Sequence, residues 1–417
     1  MRVLAVRLWT AALCSLLLLA CLPVFAFDED RNVLINGAML HFRVRGADKA
    51  NPYLVILHGG PGFSSPMFYT WGASLEKQIN VVYLDQRGCG ESARLSVANV
   101  MAPTPSEIKG YTFKTLVADI EGVRKALKVN KWYVLGHSYG GMLGLEYVTA
   151  HPDHVLGYIH MDGLVSVPQM QNAVLDDAAK KFSAATPKDD TNLASVAQLR
   201  ALPVDNPARL FGAFSLAMGP AGLYFAGDQK AEFAEFYAQV GAAVKPYAVP
   251  YAALMPASEP GAALIDNSHF LTRDDTPLLA KISVPMLIIN GKEDGVIPPQ
   301  SAEAVHAAVK NSQLVELEHC GHFPFFEQPE QTTAAILGFV HSQTDALSET
   351  GSPREVIVDY IVDEKGQVKD AKVVKSCGDM EIDSACREAV EKTHFRPEIK
   401  NGQAVAVPGQ HTFVLSE

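Results

Sequence analysis

Three residues of this 417-residue chain could together carry out acyl transfer. Ser138 lies in Gly136-His137-Ser138-Tyr139-Gly140, between an apolar run, Trp132 to Leu135, and a helix-like stretch, Met142 to Ala150. In so tight a turn only glycine fits on either side of the serine. The turn lifts the hydroxyl clear of the backbone and sets the next N–H at a helix N-terminus. Ser138 is thus the candidate nucleophile, and the Tyr139 N–H a candidate oxyanion donor. Gly291-Lys292-Glu293-Asp294 follows a second apolar run, where a carboxylate can fix the tautomer of an imidazole. Asp294 is preferred to Glu293 and to Asp162, which also follows an apolar run. His322, after Gly321, is the candidate general base, and nearby His319 reads as a surface imidazole. His58-Gly59-Gly60-Pro61-Gly62 can bring backbone N–H groups close to a substrate, and Gly60 is expected to supply the second oxyanion donor.

Elements that could position these residues follow from the apolar runs. Tyr53 to Leu57, Val81 to Leu84, Trp132 to Leu135, Val155 to Met161 and Val284 to Asn290 are continuous, as strands covered on both faces must be. Val33 to Arg45 alternates around Gly37 and predicts a hairpin. Thr112 to Val129 and Thr332 to His341 have helical spacing. Strands alternating with helices predict an α/β fold with a mostly parallel sheet flanked by helices. The order serine, acid, histidine, each just past a strand, is that of an α/β-hydrolase. Between Gly163 and about Thr276 the alternation stops, and a helical lid is expected there, with a patch from Lys230 to Val240.

The ends of the chain differ from its middle. Arg2 and Arg7 precede an uncharged apolar run, Leu8 to Phe27, and Val24-Phe25-Ala26 suits signal-peptidase cleavage, so residues 1–26 are expected to be an export signal. Lipidation at Cys21 or an uncleaved anchor would instead tie the protein to a membrane. The expected location is the periplasm. A polar linker at 344–353 leads to a small module at 354–417, read as strand Glu355 to Val362, strand Val368 to Val374, helix Ile382 to Lys392 and a strand through His411 to Val414. In an oxidising compartment Cys377 and Cys386 are the expected disulfide, with Cys89 and Cys320 as free buried thiols. The net charge of −11 argues against a general affinity for nucleic acid. No Cys/His spacing points to zinc, and the chemistry calls for no cofactor.

His58-Gly59-Gly60-Pro61-Gly62, Asp85-Gln86-Arg87-Gly88-Cys89-Gly90-Glu91-Ser92 and Gly136-His137-Ser138-Tyr139-Gly140-Gly141 together resemble the proline iminopeptidase family of serine peptidases, over roughly Val33 to His341. Members commonly have Trp after the serine, where this chain has Tyr139. The resemblance implies Ser138, Asp294 and His322 as the triad, removal of N-terminal residues from short peptides, and no metal. It also implies lid glutamates that bind the substrate's free amine, for which Glu232, Glu235 and Glu259 are candidates. A carboxylic-ester or amide substrate on the same scaffold is the alternative. The tail, with Val362-Asp363-Glu364-Lys365-Gly366-Gln367-Val368 and Phe395-Arg396-Pro397, resembles the C-terminal domain of TonB-type transducers, which implies docking to an envelope protein by strand pairing. A docking protein with a secondary hydrolase body is the reading of a different class.

Overall fold

The structure, a computed structural model, describes residues 27–92, 110–245, 269–349, 354–395, 397–400 and 403–415. The expected export signal, Cys21 and Glu259 lie outside these residues. Among the described residues no helix is long and apolar enough to cross a membrane.

The hairpin expected around Gly37 is formed by β1 (Phe27–Ile35) and β2 (Ala38–Gly46). β3 (Tyr53–Leu57) and β4 (Asn80–Leu84) follow, then α1 (Phe113–Ala126), β5 (Trp132–His137), α2 (Tyr139–Ala150) and β6 (Val155–Met161). The lid contributes α3 (Val167–Ala184), α4 (Asp190–Ala201), α5 (Pro207–Met218) and α6 (Gln229–Val244). The body closes with β7 (Met286–Gly291), α7 (Pro299–Ala308), β8 (Ser312–Leu317) and α8 (Pro329–Glu349).

Eight strands form one sheet in the order β1-β2-β4-β3-β5-β6-β7-β8. β2 pairs antiparallel with β1 and β4, and all later pairs are parallel. The continuous apolar runs are explained by the two cores. In β3, Leu54 and Ile56 face one core while Val55 and Leu57 face the other. In β7, Leu287 and Ile289 divide from Met286 and Ile288 in the same way. Each such side chain, fully removed from water, contributes about 2 kcal/mol. The switch in strand order between β3 and β5 leaves β5 central, so its C-terminal end opens at the middle of the sheet edge where ligands bind in such folds.

The tail is a three-stranded antiparallel sheet, β9 (Arg354–Val362), β10 (Val368–Lys375) and β13 (Val407–Leu415) in the order β10-β9-β13, with α9 (Met380–Glu391). Its core is Val356, Val358, Tyr360, Val362, Cys386 and Val390. A small hairpin, β11 (Glu398–Lys400) with β12 (Gln403–Val405), adds to the expected β-β-α-β order. Two expectations need correction. Residues 344–349 belong to α8 rather than to a linker, because nothing before Gly351 breaks the helix. Cys377 and Cys386 are separate thiols, not a disulfide. Cys386 turns into the module's core, while the Cys377 thiol is directed at the Asp379 carbonyl.

Candidate active site

The turn at Ser138 is as tight as its glycines imply. A Cβ on Gly140 would lie 2.1 Å from the Leu57 carbonyl oxygen, and one on Gly136 would lie 2.3 Å from that of Gly140. Ser138 itself takes φ 55°, ψ −121°, a conformation that L-residues rarely hold unless the surroundings impose it. Its side chain stands half-exposed at the top of β5, at the N-cap of α2.

His322 and Asp294 reach this point from two loops. His322 Nε2 is 3.0 Å from Ser138 Oγ, and His322 Nδ1 is 2.7 Å from Asp294 Oδ2. The second oxygen of Asp294 accepts the Val296 and Ile297 N–H groups at 2.7 and 3.0 Å, which fixes the carboxylate plane. The backbone of His322 is held on both sides, its N–H by the Tyr224 carbonyl (2.6 Å) and its C=O by His137 Nε2 (2.8 Å). Burial, helped by the His322 charge, pushes the His137 pKa down to about 3. His137 is therefore neutral and donates from Nε2. The arrangement can pass a proton from Ser138 to an imidazole whose tautomer a carboxylate holds.

The rival carboxylates are otherwise engaged. Glu293 accepts the Cys320 N–H at 3.0 Å, and Asp162 accepts the Gly291 N–H at 3.0 Å. Burial and the nearby Asp294 charge push the Asp162 carboxyl well above the usual range. His319 is exposed, as expected. Among the described residues, His137, Asp162 and His322 bring ligand-type atoms within 4.8 Å of one another, as do Glu121, His151 and His154. Both His322 nitrogens are already directed at Ser138 and Asp294, and the Arg124 fork occupies both Glu121 oxygens. Each group thus contains one member already engaged elsewhere, while His137 Nδ1, Asp162 Oδ2 and His154 Nδ1 have no hydrogen-bond partner among the described residues.

The expected oxyanion donors flank the serine. Tyr139 opens α2, where an N–H has no acceptor within the helix. Its ring is buried between those of Phe113 and Phe270. The loop carrying Gly60 (φ +118°) passes so close that a Cβ on Gly59 would sit 3.0 Å from the Ser138 Cβ. A second loop supports it. Gln86 donates its side-chain amide to the His58 carbonyl (2.9 Å) and its N–H to His58 Nε2 (3.2 Å). Burial lowers the His58 pKa, so neutral His58 donates Nδ1–H to the Gly59 carbonyl at 2.9 Å. Asp85 anchors this second loop by accepting the Ser65 and Glu91 N–H groups and pairing with His41. Arg87 forks onto buried Asp119. The Asp85–Ser92 motif thus braces the His58–Gly62 loop, a role that its residue types alone do not reveal.

Of the expected amine-binding residues, the two that are described share a cavity. Glu232 and Glu235, on α6, line a cavity of about 370 Å³ with Gln239, His319, Phe326 and Glu327, and no triad residue lines it. A further cavity of about 540 Å³ is mostly apolar and likewise has no triad residue in its lining; Met67, Trp71, Phe236, Val240, Phe325 and Leu337 line it. Glu327, absent from the sequence-based candidates, accepts backbone N–H groups on both sides of His322. A carboxylate five residues past the histidine, at the end of a one-turn helix, was the only signal for it.

Comparison with known proteins places the fold in a family. Residues 52–329 match the alpha/beta hydrolase fold family, and residues 349–415 match the Gram-negative bacterial TonB protein C-terminal family. A proline iminopeptidase of Thermoplasma volcanium is 27% identical over 321 residues, covering 75% of this chain and 96% of that protein. One from Neisseria gonorrhoeae is 28% identical over 292 residues, covering 65% and 84%. The crystal structure of a proline iminopeptidase-related protein from Thermus thermophilus superposes with a TM-score of 0.57 at 23% identity, over 77% of this chain and 99% of that one.

Proposed function

Given that the chain belongs to the alpha/beta hydrolase fold family, we propose that it is an exported serine hydrolase that releases N-terminal residues from short peptides through an acyl-enzyme. The observation that carries this reading is the unbroken line Ser138–His322–Asp294, at 3.0 and 2.7 Å, on a strained serine turn. Ser138 Oγ attacks the scissile carbonyl as His322 Nε2 takes its proton. The Gly60 and Tyr139 N–H groups receive the developing oxyanion. His322 then gives the proton to the departing amine, and water, activated by the same imidazole, releases the acyl group.

Peptide substrates are favoured over simple esters by the relatives named proline iminopeptidase. An aminopeptidase must also compensate a substrate ammonium, because a buried charge without a partner is costly. Glu232 and Glu235 are the described lid carboxylates of the type required, in a cavity that meets the His322 loop through Glu327 and not through the triad side chains. The same proposal includes periplasmic export through residues 1–26 and docking of the tail to an envelope protein, supported by the match to the TonB C-terminal family.

The test compares Pro-, Ala- and N-acetyl-Ala-anilides with a phenyl ester. Turnover of the free-amine anilides should exceed that of the acetylated one. Equal turnover of free and blocked anilides overturns the aminopeptidase reading and leaves an ester or amide hydrolase. Periplasmic release of the intact protein, checked by fractionation, tests export.

A further inference from the structure

A short strap just before α6 hydrogen-bonds the lid segment to the loops of Asp294 and His322. Leu223 accepts the Gly295 N–H (3.1 Å), next to Asp294, and Tyr224 accepts the His322 N–H (2.6 Å). One side chain completes this seam from the opposite side. Glu327 Oε2 accepts the Gly321 N–H at 3.0 Å and the Ala226 N–H at 2.9 Å, while Oε1 accepts the Phe323 N–H at 3.2 Å. Gly321 and Phe323 are the two neighbours of His322, and Ala226 belongs to the strap just before α6. A single carboxylate therefore fixes both sides of the catalytic histidine and ties them to the lid. Three N–H groups converging on two oxygens is a task only a carboxylate performs, since an amide has one accepting atom.

We propose that Glu327 is a positioning residue for the hydrolase reaction: it clamps the lid strap at Ala226 to the His322 loop and so sets the imidazole at its distance from Ser138. The proposal rests on the serine-hydrolase reading above. Because Glu327 also lines the cavity that holds Glu232 and Glu235, a role in gripping the substrate's amine is the competing explanation. The two differ in kinetics. An amine grip acts on bound substrate and depends on the substrate carrying an amine. A clamp acts on the base whatever the substrate.

The experiment uses the whole chain with Glu327→Gln and Glu327→Ala, a phenyl ester lacking an amine, and a fluorophosphonate that phosphonylates an activated serine. In E327Q one amide oxygen can serve at most two of the three N–H groups, and the NH2 group faces the third. A misplacement of the base on the ångström scale lowers kcat by about 10- to 100-fold, with KM changed by less than about threefold. The rate of Ser138 phosphonylation should fall by the same factor, and amide hydrogen exchange at residues 321–323 and 224–226 should quicken while the melting temperature stays near that of the parent. E327Q, nearly isosteric, carries the test if E327A does not fold. Unchanged ester turnover and labelling in folded E327Q overturns the clamp, as does a loss confined to KM for amine-bearing substrates. A parent protein that labels nowhere overturns the serine-hydrolase reading itself and the clamp with it. Where the parent labels at Ser138, the E327Q result bears on Glu327 alone.

Discussion

Exchanging Asp294 for Asn tests the catalytic assignment through hydrogen-bond geometry alone. Asp294 Oδ1 accepts two backbone N–H groups, from Val296 and Ile297, and Oδ2 accepts from His322 Nδ1. In D294N the single amide oxygen is drawn to the two fixed backbone donors, which turns the NH2 group toward His322. His322 Nδ1 must then accept, so the neutral ring carries its proton on Nε2, facing Ser138 Oγ at 3.0 Å. A base presenting its own proton to the nucleophile cannot take another. Loss of the correct tautomer lowers kcat by about 10⁴-fold, which corresponds to about 5.5 kcal/mol of transition-state stabilisation. Steady-state turnover of a phenyl ester, on samples matched by near-UV circular dichroism, reads the effect. Retention of more than about a tenth of the parent kcat would refute the assignment. Asp162 would then be the next acid to remove. With Asp294 as the acid, Asp162→Asn is expected to be nearly silent, because an amide oxygen can still accept the Gly291 N–H.

Gly321→Ala would set a Cβ 2.4 Å from the Tyr224 carbonyl oxygen and 2.7 Å from the Phe225 Cα, both backbone atoms. The His322 loop must move off the strap, at a cost of about 1–3 kcal/mol in urea unfolding, together with a fall in kcat. Arg87→Leu leaves Asp119 buried without its bidentate partner and should destabilise the protein by about 3–5 kcal/mol, read as a lower urea midpoint. For His41, burial opposes the charged form, but the hydrogen bonds and charges of Asp85 and Asp30 outweigh it and raise the pKa to about 9. A raised folded pKa stabilises below the unfolded value near 6.5 and loses that contribution as pH climbs through about 9, a change of about 3 kcal/mol. Urea midpoints at pH 6 and pH 9.5 should therefore differ more in the parent than in His41→Gln, and equal slopes would refute the pairing.

What was legible in the sequence was whatever is decided locally. The buried strands announced themselves because a strand covered on both faces has no polar side, and the glycines around Ser138 because a Cβ there collides with backbone of the same turn or of the neighbouring strand. The start of the sheet was not legible. β1 begins at Phe27 rather than Val33, since Asp28, Asp30 and Glu29 look like a polar leader until Arg43, His41 and Lys49 are seen to pair with them. Those partners lie 11 to 20 residues on and are brought opposite only by the hairpin. The β11–β12 hairpin, two three-residue strands with no buried residue, has no apolar face from which to be read. The lid was legible as helices but not as a binding surface, and its two described glutamates proved to neighbour Glu327 rather than Ser138.

The same distinction separates the catalytic residues from those that hold them. Ser138, Asp294 and His322, the proposed triad, each sit past a strand's end, and their types and order alone led to three side chains that the structure brings within hydrogen-bond distance. Asp85, Gln86 and Arg87 form the most distinctive motif in the chain, yet none of them hydrogen-bonds a triad side chain in any described contact. Their partners are His41, His58 and Asp119, 28 to 44 residues away, and through His58 they set the loop that carries Gly60. Glu327 holds the His322 loop by its hydrogen bonds as Gln86 holds the loop that carries Gly60. A motif whose spacing resists chemical explanation is, on this structure, a motif whose function is to hold another one still: the serine turn needs two loops kept in register with it, and each of those loops is fixed by a polar side chain that does not itself contact the triad side chains.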